Sequence, residues 1–155
     1  MHDTRRNVLK GIGAIGALVG AVGAGLLSPG RAFAAWNKGA FEAKSAIDAM
    51  KALGVANAED SKAIEIRAPD IAENGAVVPI DITSNIPGTT AIAVFIEKNP
   101  FPYTGSFDFS QGTVPYVHLR VKIGESSPVR VVVTAGGKHY TSTKEVKVTI
   151  GGCGG

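Results

Sequence analysis

The sequence contains a single cysteine, Cys153, in 155 residues. One thiol excludes an internal disulfide, a Cys-x-x-Cys redox pair and any zinc site built on several thiolates. Histidine is nearly as scarce. His2 lies near the N-terminus, and His118 and His139 stand apart from each other, outside any metal-ligand spacing. No carboxylate pair, glycine-rich phosphate loop or nucleophile elbow is present, and there is no cofactor motif. Charge is modest at 19% of residues, with 16 Lys+Arg against 13 Asp+Glu and no basic run, so nothing suggests a nucleic-acid footprint. Long apolar runs are also missing. The one extended uncharged stretch, Gly11 to Leu27, has 17 residues, six of them glycine, and is short and weakly hydrophobic for a membrane span.

That stretch has a better reading. Thr4-Arg5-Arg6-Asn7-Val8-Leu9-Lys10 precedes it as a twin-arginine pattern, and Ala32-Phe33-Ala34 follows as a small-x-small cleavage site. Basic, apolar and cleavage regions in that order make a Tat-type export signal, carried by Arg5 and Arg6 and cut after Ala34. The leader contains four of the basic residues (Arg5, Arg6, Lys10, Arg31) and one of the acidic residues (Asp3). What remains is balanced at twelve of each, so the basic isoelectric point of about 9.1 belongs mostly to the leader. The implied destination is outside the cytoplasm. An odd cysteine there points to intermolecular pairing or to a reactive thiol.

The other end of the chain agrees. Cys153 is flanked by Gly151 and Gly152 on one side and Gly154 and Gly155 on the other. Glycine is the least restrained residue and offers no side chain to pack against, whereas a structural cysteine sits among apolar neighbours. Only two residues follow the cysteine, one short of a prenyl acceptor. The pattern reads as a swinging arm, residues 151–155, carrying a chemical handle. At about 3.3–3.6 Å per residue its sulfur reaches roughly 10 Å past Ile150. Glycine neighbours supply no charge to lower a thiol pKa, so activation has to come from a partner's active site. That favours a carrier over an enzyme.

Between the two ends, Trp36 to Leu53 reads as one helix, with an apolar stripe at Trp36, Ala40, Ala43, Ile47 and Met50 and a stop at Gly54. From Ala63 the pattern changes to short β segments. Asn74-Gly75 signals a hairpin. Val77 to Thr83 follows, with Pro79 pointing to an edge or bulge. Ala91 to Ile96 reads as a central strand, and Phe107 to Phe109, Tyr116 to Ile123 and Val129 to Thr134 come next. Gly136-Gly137 is a two-residue turn into a final strand with Val146, Val148 and Ile150 on one face. About seven strands with no helices between them predict an all-β, immunoglobulin-like antiparallel sandwich. The expected organisation is a leader at 1–34, an N-terminal helix at 35–54, a sandwich at 55–150 and the arm. Lys98 to Tyr103, with two prolines and two aromatics, reads as a stiff loop, either a plain crossover or a partner surface. Ser126-Ser127-Pro128 reads as a turn.

Several motifs together resemble a known family. They are the twin-arginine leader, the run Ala68-Pro69-Asp70-Ile71-Ala72-Glu73-Asn74-Gly75-Ala76-Val77-Val78-Pro79-Ile80, the segment Glu97-Lys98-Asn99-Pro100 and the ending Val146 to Gly155. The chain is similar to the SoxY family, carriers of bacterial thiosulfate oxidation, over essentially its whole length. The Gly-Gly-Cys-Gly-Gly terminus is the most specific element. The resemblance implies a periplasmic heterodimer with SoxZ and covalent attachment of the sulfur substrate at Cys153. It further implies loading by the SoxAX cytochrome, hydrolysis by the manganese-dependent SoxB and, where present, oxidation by SoxCD. It implies no cofactor on this chain, no catalysis of its own, and no stable membrane insertion once the leader is removed. Two other readings compete: an exported interaction module that uses the cysteine for an interchain disulfide, and a small thiol enzyme that pairs Cys153 with His118 or His139.

Overall fold

Asn37 opens the first helix with its side chain. Its Oδ1 accepts from Ala40 N at 3.0 Å, capping α1 (Lys38–Glu42). This structure, a computed structural model, describes residues 37–150; Trp36 lies outside them. The expected single helix is broken. Ala43 is extended, with φ −61° and ψ 137°, and Ser45 starts a second helix, α2 (Ala46–Ala52). The physical reason is a capping arrangement within Ser45-Ala46-Ile47-Asp48. Ser45 Oγ accepts from Asp48 N at 3.1 Å and donates to the Asp48 carboxylate at 2.7 Å. The break ends the apolar stripe: Ile47 is 59% exposed, while Ala49 is fully buried in its place. Gly54 is the stop, as expected. Its φ of 73° allows Gly54 N to reach Lys51 O and Val55 N to reach Met50 O, a Schellman closure.

Among the described residues nine strands follow: β1 (Glu59–Asp60), β2 (Ile64–Arg67), β3 (Ile71–Asn74), β4 (Val78–Ser84), β5 (Thr89–Ile96), β6 (Tyr103–Asp108), β7 (Tyr116–Val121), β8 (Ser127–Ala135) and β9 (Lys138–Ile150). They form a β-sandwich. One sheet runs β1-β9-β8-β5-β6 with β3 also paired to β9, and the other runs β2-β4-β7. Pairing is antiparallel except where β1 and β3 join β9 in parallel. Ile64, Val78, Ile80, Ile82, Ile92, Val94, Ile96, Val129, Val131, Val133 and Val146 fill the space between the sheets. The alternate residues Ala93, Phe95 and Val132 face the other way and pack against Ala40, Ala49 and Val55. Strand β5 is therefore covered on both faces, which explains its unbroken apolar run.

Two local expectations are corrected. Asn74-Gly75 does not make a hairpin: β3 pairs with β9, and β4 pairs with β2 and β7. A two-residue hairpin of the Asn-Gly kind needs positive φ at both positions, and neither residue has it. Asn74 Oδ1 instead accepts from Ala76 N at 2.8 Å, closing a side-chain turn that carries the chain from one sheet to the other. Pro79 sits in the middle strand of its sheet. It is tolerated because the β2 register ends at Asp81, leaving that flank of β4 unpaired at Pro79. The Gly136-Gly137 turn is as expected, with φ of 57° and 75° between Ala135 and Lys138.

Candidate functional site

The cysteine and its glycines, residues 151–155, lie outside the described residues, as do Arg5, Arg6 and Ala34. The structure does describe the root from which the proposed arm departs. Ladder pairing of β9 with β8 stops at Ser127↔Val146, yet β9 continues to Ile150. Its last four residues are held by other means. On one edge β3 pairs in register, Ile71↔Lys147, Ala72↔Val148 and Asn74↔Ile150. Lys147 N donates to Asp70 O at 3.0 Å, and Thr149 Oγ1 donates to Glu73 O at 3.1 Å. Val148 N points the other way and donates to Ser126 Oγ at 2.9 Å. The Lys144 ammonium lies 2.7 Å from the Asp70 carboxylate, and its hydrogen bond holds that carboxyl below the usual range.

The loops around this root are tied to one another. Ser127 is fully buried, and its hydroxyl accepts from Lys98 N at 3.0 Å. Asn99 spans to the neighbouring loop, donating to Lys122 O at 2.8 Å and accepting from Gly124 N at 3.0 Å. Ile123 N donates to Gly75 O at 2.7 Å, which brings in the turn after β3. The stiff loop divides its aromatics. Tyr103 is buried against Phe41 and Phe95, while Phe101 is half exposed with Lys44 Nζ 3.5 Å from its ring centre. Ser126-Ser127, a turn by sequence, are thus the two hydroxyls that tie down the arm root and the loop beside it. A serine pair at the start of a strand is the only sequence signal, and it carries no information about which backbone group each hydroxyl meets.

The two histidines do not gather at the root. His139 lies just past the Gly136-Gly137 turn, with Nδ1 3.1 Å from Thr134 Oγ1. Ile150 lies eleven positions further along β9, on the order of 35 Å at strand spacing, well beyond the reach estimated for the arm. His118 stands on the outer face of the three-stranded sheet, with Nδ1 2.9 Å from Asp81 Oδ1. Tyr116 hydroxyl also donates to Asp81. The Tyr116 bond, then the His118 bond, holds the Asp81 carboxyl below its ordinary value, and the same contact pushes the Tyr116 phenol up. Sequence alternation places these residues outward on β4 and β7, but their meeting depends on the Asp81↔His118 register, which the sequence does not show. Among the described residues there is no cluster of three or more His, Cys, Asp or Glu able to hold a metal, and no helix long and apolar enough to cross a membrane.

Known proteins match this chain at two depths, family and fold. The sequence model of the family "Sulfur oxidation protein SoxY" matches residues 49–153. The solved structure of the sulfur carrier protein SoxY from Chlorobium limicola f thiosulfatophilum is 42% identical, with a TM-score of 0.62, and the match covers 70% of this chain and 96% of that one. A variant superoxide reductase (neelaredoxin) from Ignicoccus hospitalis shares 17% identity at a TM-score of 0.50, over 59% of this chain and 82% of its own, a likeness of fold alone. Among curated protein sequences none matches.

Proposed function

This chain belongs to the SoxY family of sulfur oxidation proteins, and from that premise we propose that it is a periplasmic sulfur carrier that holds thiosulfate-derived sulfur covalently on Cys153. One observation carries the reading: the family match runs to residue 153 and so takes in the sole cysteine and the two glycines before it. In the proposed cycle the thiolate and thiosulfate are joined by a new S–S bond, with the electron pair passing to the SoxAX cytochrome. Water then attacks the terminal sulfone on SoxB. Sulfate leaves, two protons are released, and the cysteine keeps one extra sulfur as a persulfide. SoxCD, where it exists, removes six electrons from that sulfur while three waters supply its oxygens, and a second hydrolysis releases it as sulfate and frees the thiol. SoxZ is the proposed heterodimer partner, and residues 1–34 are the proposed Tat leader, cut after Ala34.

The physical logic is that of access. Each enzyme in turn must admit the same sulfur, so the handle must be thin and indifferent to the shape of the pocket, and glycine at 151, 152, 154 and 155 meets both needs. Covalent attachment keeps reactive intermediates from diffusing away and turns each encounter into delivery of a tethered group. A lone cysteine also avoids an internal disulfide that would end the cycle. The test is the intact mass of the exported protein from cells grown on thiosulfate, with and without reductant. Reducible adducts on Cys153, matching a thiosulfonate or added sulfur atoms and absent from Cys153→Ser, are the expected result. A bare thiol, or only a protein–protein disulfide, under those conditions overturns the carrier reading.

A further inference from the structure

The two sheets do not end together. Strand β2 lies against β8 and β9, so the three-stranded sheet runs out at β7 on the side where the large sheet still has β6. Phe107 of β6 pairs with Ile92 and therefore shares the face of that core residue. It is nevertheless 39% exposed, because among the described residues no strand lies beyond β7 to cover it. Val114 and Tyr116, at the start of β7, are each half exposed or more. The backbone of β7 is open on the same side. Ser84 N donates to Pro115 O, which makes Thr83↔Tyr116 a non-hydrogen-bonded pair. Alternation then turns the backbone groups of Val117, Leu119 and Val121 toward β4, and those of His118 and Arg120 toward the open side.

The other sheet edges are blunted against pairing, and β7 is not. Strand β2 has four residues and carries the Glu65–Arg67 ion pair. The ladder of β6 with β5 is interrupted by a register shift between Val94 and Phe95, and β1 and β3 span two and four residues. Strand β7 keeps six residues in unbroken register with β4 and contains neither lysine nor proline. Arg120, on its outer face, is in no ion pair among the described residues. We infer that the free edge of β7 is the interaction surface for a second β-domain, whose own edge strand adds to the three-stranded sheet. Backbone bonds to His118 and Arg120 supply the pairing. At a strand spacing of about 4.8 Å the added strand lies over β6, where an inward apolar side chain covers Phe107. An acidic side chain on its outer face meets Arg120. The identity of the partner rests on the heterodimer reading above; the open edge does not.

The test uses the full mature chain and SoxZ, the proposed heterodimer partner, under reductant so that no interchain disulfide contributes. Residue-resolved amide exchange is measured on the free chain and on the complex. In the free chain the amides of His118 and Arg120 are expected to exchange fast and those of Val117 and Leu119 slowly. In the complex His118 and Arg120 are expected to slow at least about tenfold. Phe107→Lys and Arg120→Glu, both at exposed positions, are each expected to raise the Kd for SoxZ about tenfold. The exchange measurement on the unsubstituted chain stands whether or not either variant folds. Slow exchange at His118 and Arg120 in the free chain overturns the open edge. A complex in which those two amides exchange as fast as in the free chain, or whose Kd neither variant changes, overturns the inference and leaves the heterodimer reading standing. No complex at all overturns the heterodimer reading and this inference with it, and leaves the carrier role of Cys153 to its own test.

Discussion

Asn99 offers a sharp test of how the arm pole is held together. Its amide makes two bonds of opposite sense to one loop: Nδ2 donates to Lys122 O at 2.8 Å and Oδ1 accepts from Gly124 N at 3.0 Å. Asn99→Ala removes both. At about 1 kcal/mol net per bond, and more where a partner is left unsatisfied, the expected loss is about 1–3 kcal/mol. That is a fall in Tm of roughly 4 °C per kcal/mol for a domain of this size. Asn99→Asp is more informative. It keeps the acceptor for Gly124 N but sets a carboxylate oxygen against Lys122 O, so at neutral pH it is expected to cost at least as much as alanine. The carbonyl disfavours the charged form, so the folded pKa of this aspartate should lie above its unfolded value of about 3.9. A raised folded pKa contributes relative stability that is fully present below the unfolded value and lost as pH rises through the folded one. The gap between Asn99→Asp and wild type should therefore shrink below about pH 4, where the neutral acid can donate to Lys122 O. Urea melts of both proteins at neutral pH and in acid measure it. A variant as stable as wild type at neutral pH, or a gap that stays constant into acid, refutes the two-bond account.

Other perturbations probe the rest of the molecule. Phe95→Ala empties a fully buried site between the large sheet and the helices and is expected to cost about 3–5 kcal/mol in a denaturant melt, so a loss under about 1 kcal/mol would mean that the helical layer is not packed as described. Gly137→Ala forces a methyl into a φ of 75°, and a loss of about 1–2 kcal/mol is expected from the left-handed backbone alone, because the added carbon meets nothing nearby. Asp70 and Asp81 both have lowered pKa values, from the Lys144 hydrogen bond and from the Tyr116 and His118 hydrogen bonds respectively. Their stabilising contacts are fully present above the unfolded aspartate value of about 3.9 and fade as pH falls through the lower folded ones. Asp70→Asn with Asp81→Asn should accordingly flatten the acid limb of the stability curve, and an unchanged limb would show that these exposed contacts contribute nothing.

What can be read from the residues follows the range of the interactions. The continuous run Ala91 to Ile96 announces a central strand, and Gly54 and Gly136-Gly137 announce their turns, because those signals are set by neighbours in sequence. The broken helix is also local, since Ser45 and Asp48 form the cap that divides it, but the longer apolar spacing across Trp36 to Leu53 masks it. Asn74-Gly75 misleads because the dipeptide reports only a propensity to turn. Where the chain goes next is decided by β9, at the far end of the domain sequence, which offers β3 an open edge. The chemistry at Cys153 is suggested by its setting alone, a thiol with nothing but glycine beside it. The hydroxyl that holds the root is not legible, because Ser126 gains its role only where β9 outruns β8, and register is invisible in a single sequence.

The placement of the thiol on the last strand has its own logic. Strand β9 is the longest in the domain and shares nine register pairs with β8, down to the fully buried Val146. A group attached beyond it hangs from the most extensively paired element among the described residues. Neither histidine lies at the root: His139 is at the far end of β9, and His118 is on the other sheet beside Asp81. For a handle proposed to meet an oxidant, a hydrolase and sometimes a second oxidant in order, activation is then left to each docked enzyme's pocket. A carrier of this kind has to supply only a defined surface and a defined point of departure, and the chemistry then belongs to whichever partner surrounds the cysteine.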